Sequence, residues 1–223
     1  MNNQLQIILL SLKVATLSTI IIIPIGTYLG WLFSRKRFIG KSLLDGLVNI
    51  PLVLPPVVTG YLLLILLGPS GFIGRFLKEW FGINLAFTWW AAVIASGVVS
   101  FPLLVRSVRV AIDVVDPKLE DAGRMLRASE ARVFFKITIP LAANGIIAGS
   151  VLAFARALGE FGATIIFAGN ILGKTQTIPL AVFTYFNQPD GASKATSLLI
   201  VSVVISYLSI LLNELMLRRM KNA

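Results

Sequence analysis

VATLSTIIIIPIGTYLGWLF, residues 14–33, carries no charge along its whole length, and it decides the class of the fold. A bilayer core takes about 20 consecutive apolar residues of helix to cross, and this run supplies them. Four more uncharged runs follow, at Gly46–Leu67, Phe81–Val105, Ile137–Ala155 and Ala195–Asn213. Placed as spans, the five fall at about 10–33, 46–67, 87–108, 138–158 and 195–217, each near the length a membrane requires. The expectation is an all-α integral membrane protein. Residues 1–223 form one polytopic bundle of about five transmembrane helices, with a cytoplasmic loop over about 112–137.

Composition agrees. Apolar residues make up 57% of the 223 and charged ones 13%, where a soluble domain carries roughly a quarter. There is no Cys and no His, which removes the usual zinc and thiolate sites and any imidazole base. A net charge of +10 would suit a nucleic-acid binder if it lay on one soluble face. Here the basic residues sit between apolar runs, so no nucleic-acid partner is expected. The first run is read as a retained anchor. Only Lys13 precedes it while Arg35, Lys36 and Arg37 follow it, the reverse of a secretory signal.

Lys and Arg in the loops set the orientation. Arg35, Lys36, Arg37 and Lys41 follow the first span. Arg106, Arg109, Lys118, Arg124, Arg127, Arg132 and Lys136 follow the third, and Arg218, Arg219 and Lys221 follow the fifth. These fourteen share a side, against Arg75, Lys78, Lys174 and Lys194 on the other. The N-terminus is expected outside and the C-terminus in the cytoplasm. A sixth pass within 161–189 would reverse the tail against this rule, so that segment is expected as a re-entrant hairpin or an outer surface helix. Pro51, Pro55 and Pro56 crowd the second span and predict a sharp kink there.

The large loop after the third span is the most informative stretch. Asp116-Pro117 is a helix start, with Asp as N-cap and Pro at the first position. A short helix through Leu126 should follow. Ser129-Glu130 should cap a second through Phe135, and Pro140 should open the fourth span. Two projecting helices would make a docking element. A solvated basic loop kept only by the charge rule would read the same way.

Asp121, Ala122, Gly123, Arg127, Ile137, Ile139 and Pro140 fall at the spacings of the EAA motif, which this loop resembles. That motif belongs to ABC importer permeases and runs Glu-Ala-Ala, three residues, Gly, nine residues, Ile-x-Leu-Pro. Asp here replaces Glu, Gly replaces the second Ala, and Arg127 stands where the motif has its turn Gly. A left-handed turn disfavours a side chain, so a reshaped turn is expected. The resemblance implies that Asp121, Ala122, Gly123, Arg127, Ser129, Ala131, Arg132 and Val133, up to Pro140, couple the chain to an ATPase. The small residues Ala122, Gly123, Ala128 and Ala131 would admit a partner backbone.

A second stretch, RALGEFGATIIFAGN at 156–170 followed by TQTIPL at 175–180, resembles the molybdate branch of that family. The sulfate branch shows Tyr and Ser where Phe161 and Ala163-Thr164 stand. The likeness extends over nearly the whole chain, including LVLPPVVTG at 52–60. It implies the type I importer fold and a homodimer in a prokaryotic plasma (inner) membrane. It also implies two cytoplasmic ABC ATPase subunits, which hydrolyse the ATP, and an external oxyanion-binding protein. The cargo implied is an oxyanion, molybdate first, with tungstate or sulfate/thiosulfate as alternatives. No cofactor is implied.

Arg156 and Glu160, spaced i, i+4 at the end of a span, should pair, because ionisable groups at membrane depth are costly alone. The pair reads either as a switch beside the oxyanion path or, preferably, as a fixed tie between helices. AGNILGKT at 168–175 satisfies a loose phosphate-loop pattern, but a working one joins a strand to a helix in a soluble domain. An ion-coupled transporter or channel is the competing class, and the EAA-like loop argues against it. A membrane enzyme lacks any catalytic cluster.

Overall fold

The computed structural model describes residues 3–221 and is helical throughout the spans. The first span is α1 (Asn3–Arg35), kept continuous through Pro24. The second is two helices, α2 (Lys41–Val53) and α3 (Pro56–Leu67), bent by 116° at their junction. The predicted kink is therefore a full break. Leu54 and Pro55 each precede a proline, and both take extended backbone, with ψ of 144° and 134°. The proline ring denies αR to the residue before it. Two such residues in series cannot be bridged by one helix.

Beyond α3 lies a short amphipathic helix, α4 (Phe72–Phe81), and then the third span, α5 (Trp89–Asp113), started by Thr88 as N-cap. The EAA-like loop forms α6 (Pro117–Met125) and α7 (Glu130–Val133). The fourth span differs from expectation. A π-helical turn, Phe134–Thr138, joins α7 directly to α8 (Ile139–Leu158), so the helix begins at Glu130 rather than at Pro140. The wider turn lies just where Pro140 lacks an N–H to donate back, and π turns are one way a helix absorbs such a defect. Segment 161–189 holds α9 (Gly162–Phe167) and α10 (Ile178–Phe186), each far too short to cross. The last span is α11 (Ala192–Lys221). The side chains of Arg218, Arg219 and Lys221, used in the charge argument, lie outside the described residues.

Among the described residues four helices are long and apolar enough to cross a membrane, and five spans result if the bent pair counts as one. Their directions follow from which residues meet. A Cβ on Gly26 would lie 2.8 Å from Leu104, and one on Gly30 2.6 Å from Val108, so α1 and α5 run parallel. Gly149 faces Ser107 and Gly145 faces Ala111, so α8 returns antiparallel. Leu198 shares one apolar cluster with Ile7, and Ile205 another with Leu12 and Ala15, so α11 runs parallel to α1. Small residues at these crossings let backbones approach, as membrane helices require where no hydrophobic force drives them together. Lys13, the one charge in α1 before its terminal Arg35, lies 3.6 Å over the Trp89 ring. Trp89 in turn stacks on Trp90, as in an interfacial aromatic belt.

Candidate functional site

The loop between α5 and α8 is a built hairpin rather than a solvated strand of charges. Asp116 accepts from the Lys118 N–H at 2.9 Å and Ser129 from the Arg132 N–H at 3.3 Å, so both N-caps form as their sequence predicts. Between them the chain turns at Arg127, whose φ of 61° is left-handed. The Ala128 N–H reaches the Gly123 carbonyl and the Arg127 N–H that of Arg124. That bond pair is the Schellman ending of a helix. The turn keeps the left-handed form that Gly favours, with Arg in it, and the expected reshaping does not occur.

Charges stitch the hairpin internally. Arg124 bridges Glu130 and Asp121 at 2.7 Å each. Beneath them lies Glu120, 1% exposed. Its carboxylate accepts from Arg35 Nε at 3.1 Å to both oxygens and from the Thr138 hydroxyl at 2.8 Å. Arg35 also donates to the Val115 carbonyl at 2.7 Å. Sequence reading passed over Glu120 and Thr138 and counted Arg35 only as a loop charge. The usable signal was Glu120 at i−3 from Gly123, which puts both on one face of α6.

The outer face carries unpartnered apolar surface among charges. Met125 and Leu126 are each 84% exposed and Val114 83%, all within the connection between α5 and α8. Asp121, Ala122, Arg127, Ser129, Ala131 and Arg132 are also exposed. Gly123 and Val133 are not. A Cβ on Gly123 would lie 2.6 Å from Ile137 Cδ1, and Val133 is buried. Their smallness and shape serve the packing of α6 on its own chain, so they drop out of any contact surface. Pro140 sits above, inside the continuous fourth-span helix.

Matching the sequence model of the binding-protein-dependent transport system inner membrane component family to this chain aligns residues 22–222. The chain belongs to this family. Along 96% of its length it is 53% identical to the molybdenum transport system permease protein ModB of Escherichia coli K12, covering 93% of that protein. It is 48% identical to ModB of Haemophilus influenzae over 98% of its length and 95% of that protein. The permease subunit fold recurs in an inward-facing structure of the MetNI methionine ABC transporter, at a TM-score of 0.74 and 18% identity. That match spans 96% of this chain and 94% of the other. The chain is thus a multi-pass permease component of an ABC importer with the type I fold.

In this permease the two other resembling stretches meet. Gly162 packs against Pro56, and Gly60 against the backbone of Ala163. LVLPPVVTG and GEFGAT are the two sides of one crossing between α3 and α9. Arg156 and Glu160 pair as spaced, Nη1 to Oε2 at 2.6 Å, and the other Glu160 oxygen accepts from the Ala163 N–H at 2.9 Å. The pair ties the end of α8 to the start of α9. The phosphate-loop lookalike joins two helices, not a strand and a helix. Thr175 is buried and turns inward, donating to the Gly169 carbonyl and accepting from the Ile171 N–H, each at 3.0 Å. Among the described residues no group of three or more metal-ligating side chains gathers.

Proposed function

We propose that this permease carries molybdate into the cytoplasm, powered by ABC ATPase subunits that dock on the α6–α7 hairpin. The observation that carries the reading is the capped hairpin with Met125 and Leu126 bare at its tip. An exposed apolar pair within a charged rim is the anatomy of a protein contact, and Met adapts to a partner's groove. The choice of cargo rests on similarity to molybdenum permeases along nearly the full chain. Two copies of the chain surround the path, two ATPases sit beneath them, and an oxyanion-binding protein delivers from outside. The hairpin and C-terminus face the cytoplasm and the N-terminus faces outward, as the distribution of Lys and Arg supports.

In this scheme ATP closes the paired ATPases, the hairpins move with them, and the pore opens outward to receive the anion. Hydrolysis returns it. The test is uptake in cells lacking their own molybdate permease, supplied with this chain and its ATPase and binding protein. Molybdate accumulation that excess tungstate suppresses and excess sulfate leaves intact is expected. Sulfate uptake in its place would move the chain to the sulfate/thiosulfate branch, and uptake driven without ATP would end the ABC reading.

A further inference from the structure

Glu120 has no part in the docking surface, yet it is one of two buried carboxylates among the described residues. Apart from Arg124 on its own helix at 3.8 Å, its partners lie on separate elements. Arg35 is the last residue of α1, Thr138 the last of the π turn that leads into α8, and Glu120 itself lies in α6. Arg35 further holds the Val115 carbonyl in the linker between α5 and α6. The other ion pair from the hairpin to the end of α1, Lys36–Glu130, is solvent-exposed at 3.4 Å, and such pairs contribute little.

We propose that Glu120 is the positioning residue through which displacement of the hairpin reaches the first and fourth spans. The inference rests on the docking reading above. Apolar surfaces slide over one another at small cost. A desolvated carboxylate shared by a guanidinium and a hydroxyl cannot shift far without leaving charge buried and unpaired. Any movement of α6 must therefore carry Arg35 and Thr138 with it, and with them the ends of α1 and α8. Glu120 makes the hairpin and two spans one rigid body, while Met125 and Leu126 provide the grip.

The experiment uses the whole complex, permease with ATPase and binding protein, in proteoliposomes supplied with molybdate. Arg35→Met combined with Glu120→Gln removes both charges, leaves none unpaired, and keeps an acceptor for Thr138. Assembly and basal ATP hydrolysis should persist while molybdate moved per ATP falls at least about fivefold, the lower end of a coupling effect. An unchanged ratio overturns the proposal. Should the double variant fail to assemble, Thr138→Val decides. It removes one arm of the link, and a fall in the same ratio supports the proposal where a wild-type ratio defeats it. Failure of the docking reading looks different: the ATPase would still co-purify with a Leu126→Glu permease.

Discussion

Gly60 and Ala163 meet backbone to backbone: a Cβ on Gly60 would lie 2.6 Å from the Ala163 carbonyl oxygen and 2.7 Å from its Cα. Backbone cannot step aside as a side-chain tip can. Gly60→Val should therefore force α3 and α9 apart and destabilise the purified permease by about 1–3 kcal/mol. Gly46→Ala is the control, since a Cβ there meets nothing within 4 Å. Thermal unfolding in detergent compares the two, and equal midpoints would mean that the crossing is looser than described.

The left-handed Arg127 gives a prediction of opposite sign. A side chain in that conformation costs about 1–2 kcal/mol, and Gly removes this cost while adding about 0.5–1 kcal/mol of backbone entropy. Arg127→Gly should be neutral to modestly stabilising, by at most about 1.5 kcal/mol, with transport retained. Arg127→Val should lose stability, because a β-branched residue is least tolerated at positive φ. A stabilised Val variant would show that the turn is not left-handed.

Gly123 and Ala131 separate folding from docking. Gly123→Leu drives a side chain into Ile137 and Val133, so the permease itself should lose stability or yield. Ala131 is exposed, so Ala131→Trp should leave the isolated permease intact and reduce co-purification of the ATPase, as should Leu126→Glu. If both surface variants retain the ATPase at wild-type levels, the hairpin is not the dock.

Orientation is checked by labelling single cysteines with an impermeant thiol reagent in intact cells, a clean test in a chain with no native Cys. Ser70→Cys and Lys174→Cys should label. Lys41→Cys, Ser129→Cys and Asn222→Cys, the last at a position outside the described residues, should be protected. Labelling at residue 222 would demand an even number of passes and contradict the parallel course of α1 and α11.

The spans, the capped hairpin and the Arg156–Glu160 pair were legible because each rests on local chemistry: run length, cap residues, or i, i+4 spacing. Elsewhere local reading fell short. Pro51, Pro55 and Pro56 announced a kink, but the 116° break needed the backbone of Leu54 and Pro55. Gly123 read as room for a partner because its true neighbour, Ile137, lies across a turn that spacing alone does not fold. Glu120 stayed hidden for the same reason. Its partners Arg35 and Thr138 come from distant segments, and long-range pairing of charges leaves no periodicity to read.

The π turn at Phe134–Thr138 has a consequence for insertions and deletions. A π turn amounts to an α turn with one residue added, and each residue of an α-helix advances about 100° around its axis. The turn thus absorbs one residue while α7 and α8 stay in phase. Removing a single residue such as Lys136 would let ordinary helix close up through the segment and leave the hairpin facing as before, whereas the same deletion within α8 would rotate it by about 100° relative to the bundle. Every side chain of the tip would survive, and the tip would keep its direction. Chains that share this segment's residues but differ by one in its length would then still present the same surface to the same side.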